Sequence, residues 1–389
     1  LKTRGVPDFL LLFLAALLVG FGITMVISAS SIYAYVDFSI LGCGDPCKGD
    51  SLYFIRKQIT WVCIGTIGMF IAMNIPFSFY KKNFLLIAVL SFISLVLVYV
   101  PGIGDPIKGA RSWIKLGPAS LQTSEFAKLG LILYLAAIIS KKGERFRDFK
   151  TGLMPALVVT GVFFLLIALQ PDLGTAAILL GTAGIVMICG GANLKQLILL
   201  TVPPVALFLT WYISVKNHAL ARILSFTNPW ADPKGDGWQI SQSLFAFARG
   251  GITGAGYGKS IQKYLYLPEA HTDFIFSVIG EEFGFIGATI FLLVYLAFLL
   301  RGLYICLKCK DAFASLTGIG VVAMIGIQAL INIGGVTASI PLTGVPLPFI
   351  SYGGSSLLVC LLGTGLLLSV SREVNRQKAL ELVQARGQT

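Results

Sequence analysis

Long apolar stretches recur along this chain, and they restrict its fold more than any other feature. A segment crossing the hydrocarbon of a bilayer needs roughly 20 mainly apolar residues. Ten stretches qualify: 9–33, 58–75, 82–100, 122–140, 153–169, 172–190, 196–215, 274–300, 312–337 and 355–371. Of the 389 residues 56% are hydrophobic and only 12% charged, which excludes a soluble globular fold. In lipid every backbone N–H and C=O must be satisfied within the protein, so spans are helices or strands of a closed barrel. The evenly alternating strands of a barrel do not occur. The expected fold is an all-α polytopic membrane protein with ten transmembrane helices, forming one domain over 1–389.

Lysine and arginine near span ends set the orientation. With the N-terminus inside, Lys2, Arg4, Lys81, Lys82, Lys141, Lys142, Arg145, Arg147, Lys150, Lys195, Arg301, Lys308, Lys310, Arg372, Arg376, Lys378 and Arg386 face the cytoplasm. Both termini are then cytoplasmic, with a short tail at 372–389, and one large extracytoplasmic loop, 216–273, joins helices 7 and 8. Topology thus accounts for most of the +12 net charge. No basic stretch is interleaved with stacking aromatics on a soluble module, which argues against nucleic acid as a partner. The first span is too long for a cleaved signal peptide. Cys43 and Cys47 lie in an outer loop where a disulfide is chemically feasible. Cys306 and Cys309 form an inner CxxC without a second pair or a histidine, and read as reduced thiols rather than a zinc site.

The costly polar residues gather on the outer side. The stretch YLYLPEAHTDFIFSVIGEEFGFIG, Tyr264 to Gly287, passes from a polar segment holding Glu269, His271 and Asp273 directly into an apolar run. Asp273 is there either as a helix cap or as a functional carboxylate where water meets hydrocarbon. Glu281 and Glu282 follow inside the span. The loop after span three carries Lys108, Arg111, Trp113 and Lys115, either as an aromatic anchor with snorkelling cations or as a cradle for an anionic lipid headgroup. Its cations break the positive-inside bias.

Glu125 and Lys128, at i and i+3, share a helical face at the outer end of span four. Asp172 lies at the outer end of spans five and six, so a Glu125–Lys128–Asp172 network is expected, structural or functional. In loop 216–273, Trp238, Ser241, Leu244, Phe245 and Ala248 suit a helix lying in the interface. GITGAGYGKS only superficially resembles a phosphate-binding loop, because Thr253 replaces the required first glycine; Gly254, Gly256 and Gly258 are expected to make tight turns. Gln328 and Asn332 sit in the outer half of span nine. The uncharged Pro- and Gly-rich segment 339–356 is expected to fold back and wall a pocket.

Three motifs, NPWADPKGDGWQISQSL, YLPEAHTDFIFSVIGEEFGFIG and PLTGVPLPFISYGGSSLL, resemble those of the SEDS (shape, elongation, division, sporulation) family, in particular its division and sporulation branch. The likeness runs over nearly the whole chain. It implies a peptidoglycan glycosyltransferase that polymerises lipid II and works with a class B penicillin-binding protein, a transpeptidase, in the divisome or the sporulation machinery. It places the essential aspartate on Asp273, the outer-loop tryptophan on Trp113 and the charged network on Glu125, Lys128 and Asp172. Arg249 and Ala338 are small departures from the family pattern. Asp273 is expected to act as general base on the acceptor 4-hydroxyl. Arg111, Lys115 and Arg249 are expected to stabilise the diphosphate leaving group, and His271, Gln328 and Ser351 to contact substrate. No nucleotide is expected. A divalent cation, Mg2+ or Mn2+, would be held largely by the lipid diphosphate, because no protein metal motif is visible. A lipid II flippase and a non-catalytic scaffold are the rival readings.

Overall fold

The computed structural model describes residues 5–35, 51–107, 110–117, 119–215 and 217–386. Lys2, Arg4, Cys43, Cys47 and Lys108, named above, lie outside the described residues. The chain runs as α1 (Phe9–Tyr35), α2 (Tyr53–Asn74) and α3 (Phe77–Leu97), then three short strands, β1 (Gly104–Ile107), β2 (Ala110–Leu116) and β3 (Ala119–Gln122). It continues through α4 (Thr123–Lys142), α5 (Met154–Leu169), α6 (Leu173–Cys189) and α7 (Leu194–Val215). Next come α8 (Asn217–Thr227) and α9 (Trp238–Gly250), and finally α10 (Ile275–Leu307), α11 (Ala312–Val336) and α12 (Gly354–Arg386).

Among the described residues nine helices are long and apolar enough to cross a membrane. The apolar α6 has 17 residues, about 26 Å of helix, just under the thickness of a hydrocarbon core. Depth in the bundle varies sharply. In the α12 and α4 spans 83% and 72% of the apolar window is buried, against 6% in α7, so α4 and α12 are central and α7 is peripheral. Small residues make the centre possible: Ala127, Ala136 and Ala137 on α4 are fully buried, and α11 contributes the buried Gly318 and Gly320. Lipid gives no hydrophobic drive between helices, so such close backbone approach, with its dispersion contacts, holds them together.

Polar ties close the end of the bundle remote from the strands. Asp8 accepts from Arg301 at 2.6 and 3.2 Å, joining the start of α1 to α10. Arg372 donates to the Gly5 carbonyl at 3.0 Å and to Asn74 Oδ1 at 2.7 Å, which adds α2 and α12.

Two expectations need correction. The fold is not purely α, because β1, β2 and β3 form an antiparallel sheet in that order, with Trp113 opposite both Asp105 and Gln122. Alternation of cationic or aromatic residues with others from Arg111 to Lys115 has the two-residue period of a strand, and it lay between glycines and prolines that suggest only loop. In addition, the helix of span ten does not stop near residue 371 but runs to Arg386. The expected helix in loop 216–273 is α9, yet its buried residues are Ile240, Ser241, Gln242, Ser243, Ala246 and Gly250, so Ser241 turns inward. Their side of the helix packs on α10 and α11, with Ser243 Oγ 2.7 Å from Ser277 Oγ and donating to the Val336 carbonyl.

Candidate functional site

Asp273 stands immediately before α10. The N-cap position itself falls on Phe274, whose side chain supplies no capping bond. The Asp273 carbonyl accepts from Asn332 Nδ2 at 2.7 Å, and the same amide group donates to the Val345 carbonyl at 2.8 Å. One buried asparagine on α11 thus clamps the backbone of the aspartate to the returning segment 339–356. The half-buried Asp273 side chain faces the exposed Gly344 there. Gly344 has φ +72°, and a Cβ on it would stand 3.4 Å from Asp273 Oδ2. A residue without a side chain therefore forms the floor beside the carboxylate, where the backbone also needs a left-handed conformation.

Segment 339–356 folds back as expected, and its irregular backbone is satisfied by protein. Ser351 Oγ donates to the Thr272 carbonyl at 2.5 Å and accepts from Leu347 N at 2.8 Å, while Tyr352 N donates to the His271 carbonyl at 2.9 Å. Within the segment Val345, Leu347, Phe349 and Ile350 are buried. The His271 ring packs among Tyr33, Phe54 and Tyr352 at centroid separations of 4.9, 4.6 and 5.7 Å. His271 and Ser351 are 3% and 4% exposed. Both are expected as substrate contacts; in this structure their bonds and ring contacts hold the wall beside Asp273.

The charged network differs from the expected one in its third member. Lys128 Nζ donates to Glu125 Oε1 at 2.8 Å and to Gln328 Oε1 at 2.7 Å, with all three residues buried. Gln328 Nε2 passes the connection on to the Pro346 carbonyl at 3.0 Å and to Ser356 Oγ at 3.1 Å. Gln328 is therefore a bridge between α4 and the returning segment rather than a surface that meets substrate. Asp172 lies beside the network but bonds elsewhere: it accepts from Gln122 Nε2 (3.1 Å) and Ser124 Oγ (3.3 Å), and caps α6 through Thr175 N (3.1 Å). Sequence spacing made the two carboxylates equivalent partners for Lys128; packing of α11 against α4 gave the second place to an amide.

The sheet brings Arg111, Trp113 and Lys115 onto one face of β2, since alternate strand residues point the same way. Arg111 and Lys115 are exposed and Trp113 half-buried. β3 is bonded to the start of α12 through Gln122 N and Ser355 Oγ at 2.9 Å, so the sheet is anchored to the end of the same segment that carries Gly344. Arg249, expected with these cations, is 3.4 Å from Glu281, which is fully buried. Sequence reasoning missed Lys263, 3.2 Å from Glu282 and buried. It lies in a polar loop outside every apolar span, so nothing flagged its burial. Gly254, Gly256 and Gly258 do take positive φ.

A loop carboxylate at the rim of an apolar bundle, a glycine floor and a cationic strand face suit proton abstraction beside an anionic group at a membrane surface. The comparisons agree in kind. A family model described as "cell cycle protein", FTSW_RODA_SPOVE, matches residues 8–376. Stage V sporulation protein E of Bacillus subtilis (strain 168) is 42% identical over 94% of this chain and 97% of its own length. A probable peptidoglycan glycosyltransferase FtsW of Geobacter metallireducens is 39% identical over 94% of each chain. Among solved structures, one from work on the structural coordination of polymerization and crosslinking by a peptidoglycan synthase complex superposes with TM-score 0.73 and 30% identity, covering 94% of this chain and 98% of the other. The rod shape determining protein RodA of Thermus thermophilus superposes with TM-score 0.67 and 28% identity over 94% and 97%.

Proposed function

We infer the function from one premise: this chain belongs to the FtsW/RodA/SpoVE family of cell cycle proteins. It is a multi-pass protein of the bacterial cytoplasmic membrane and a peptidoglycan glycosyltransferase, polymerising lipid II into β-1,4-linked glycan at the outer face and releasing undecaprenyl diphosphate. In the topology proposed here α6 is the tenth span, both termini are cytoplasmic, and the β-sheet, Asp273 and segment 339–356 face outward.

In the mechanism proposed here, Asp273 takes the proton from the 4-hydroxyl of the N-acetylglucosamine of lipid II. The hydroxyl oxygen bonds to the anomeric carbon of the growing strand, and the bond to the lipid diphosphate breaks with inversion. Arg111 and Lys115 would stabilise the departing diphosphate from the exposed β2 face; Trp113 between them would hold the headgroup zone. Arg249 is already paired with Glu281 and is left out of this role. Among the described residues no set of three or more His, Cys, Asp or Glu could hold a metal. Asp273 alone does not make a metal site, so a divalent cation would travel with the diphosphate, and no step here runs through it. A class B penicillin-binding protein, within division or sporulation machinery, is the proposed partner.

The observation that carries this reading is the half-buried Asp273 carboxylate beside an exposed glycine at the rim of an apolar bundle, with the aspartate's backbone carbonyl held by Asn332. The test is polymerisation of purified lipid II by wild type and Asp273→Asn in proteoliposomes. Loss of a positioned general base should slow the reaction by about 10²–10⁴. Glycan made at the wild-type rate by Asp273→Asn would refute the assignment, and movement of lipid II without glycan would favour a flippase.

A further inference from the structure

The helix that follows Asp273 is broken, and another part of the chain fills the break. At Gly284, α10 takes φ +64° and ψ −166°, so residues 275–283 form a short rod distinct from the rest of the helix. Such a break strands carbonyls on one side and N–H groups on the other. The loop after α9 satisfies both. Ala255 N and Gly256 N donate to the carbonyls of Glu281 and Glu282, each at 2.9 Å, while Phe285 N and Ile286 N donate to the carbonyls of Gly251 (2.9 Å) and Ile252 (3.1 Å). The approach is so close that a Cβ on Gly284 would collide with Gly254 N.

Side chains lock the same joint. Glu281 accepts from Ile261 N (2.8 Å), Gln262 N (3.3 Å) and Ser260 Oγ, with the Arg249 guanidinium at 3.4 Å. Glu282 accepts from Ser28 Oγ on α1 at 2.5 Å and pairs at 3.2 Å with Lys263, whose ammonium also donates to Ser28 Oγ (3.0 Å) and the Gly258 carbonyl (2.7 Å). Both carboxylates are buried, at 0% and 1% exposure. Burying two acids and a lysine is costly, and apolar packing of the same volume would stabilise the joint at least as well. What ion pairs and directed hydrogen bonds add is a single register.

We propose that Glu281 and the Lys263–Glu282 pair are positioning residues for Asp273. They fix the setting of the rod 275–283 along and about its axis, so that the carboxylate at its far end stays against Gly344. The rod transmits the constraint because it is short and hydrogen-bonded: residues 275–283 cover about 14 Å of helix. Its other end is tied through the Asp273 carbonyl by Asn332 and through the Thr272 carbonyl by Ser351, and Ser277 along the rod bonds Ser243, so the joint at Glu281 and Glu282 completes a set of ties that fixes the rod at both ends. This inference rests on the reading of Asp273 as the base.

The test uses full-length protein in proteoliposomes with lipid II as probe. The variants are Glu281→Gln, which keeps shape and removes charge, Glu282→Gln, Lys263→Met, the double Glu282→Gln/Lys263→Met, and Asp273→Asn as reference. Displacement of a catalytic group by about 1 Å costs on the order of 10²-fold. Each single variant should therefore lose about tenfold or more in kcat, with KM for lipid II within about twofold of wild type. The double variant leaves no charge orphaned and should recover part of the loss, a coupling that independent sites lack. Wild-type kcat in the single variants overturns the inference, as does a loss that falls on KM or equals the fraction of protein no longer folded. An inactive Asp273→Asn beside a fully active Glu281→Gln refutes the positioning role alone, whereas a fully active Asp273→Asn refutes the base and the positioning role with it.

Discussion

Replacing Lys128 by methionine isolates the buried network from the rest of the protein. Its ammonium donates to Glu125 Oε1 at 2.8 Å and also satisfies Gln328 Oε1 at 2.7 Å. The second carboxylate oxygen, Glu125 Oε2, is buried with no hydrogen-bond partner among the described residues. Losing Lys128 strands a carboxylate about 1% exposed, which typically costs about 3–5 kcal/mol. The orphaned Gln328 oxygen adds about 1–3 kcal/mol. Together these approach the whole stability of many proteins, about 5–15 kcal/mol. The double variant Glu125→Gln/Lys128→Met removes both charges and should recover most of that loss. Its activity should remain low, because Gln328 loses the anchor through which it holds the Pro346 carbonyl two residues from Gly344. Thermal unfolding in detergent and lipid II polymerisation, measured on both variants, separate the two effects. Equal melting temperatures for the single and double variants would refute the electrostatic argument, and wild-type turnover in the double would refute the mechanical link.

Three further outcomes are expected. Gly344→Ala forces a side chain into φ +72° at about 1–2 kcal/mol and crowds Asp273 Oδ2; turnover should fall severalfold more than the folded fraction, read by kinetics beside a melting curve. Arg111→Ala and Lys115→Ala alter exposed residues and should slow polymerisation with little change in melting, the effect being larger at low salt, where Debye screening is weaker. At the other end of the bundle, burial pushes the Asp8 carboxyl up, but the hydrogen-bonded Arg301 guanidinium and the Leu11 N–H carry it below its ordinary value. A depressed folded-state value means stabilisation that is present above the ordinary carboxylate range and lost as pH falls through the folded value. The melting-temperature difference between wild type and Asp8→Asn should therefore hold at neutral pH and vanish on acidification.

Much of the site could be located before any coordinates, because charge in an apolar span is expensive and conspicuous. Asp273, Glu125, Lys128, Gln328 and Asn332 all stand out that way. Their connections do not. Helical spacing predicts that Glu125 meets Lys128, three residues on, but says nothing about which group on α11 completes the contact. His271 and Ser351 illustrate the same limit: polar residues near a presumed pocket looked like substrate contacts, and tertiary packing uses them to satisfy irregular backbone. The β-sheet escaped notice because four- to seven-residue strands bounded by glycine and proline give too short a period to register against loop.

Hydropathy and charge alone determined that this chain is a bundle of membrane helices and which stretches of it hold the costly polar residues, since both follow from the free energy of moving residues between water and lipid, one residue at a time. Only the tertiary structure decided what faces what: that Gly344 rather than a side chain lies beside Asp273, that Gln328 displaces Asp172 at Lys128, and that a loop heals the break in α10. Those outcomes depend on distances between segments far apart in the chain, and such distances are set by how small residues allow whole helices to approach.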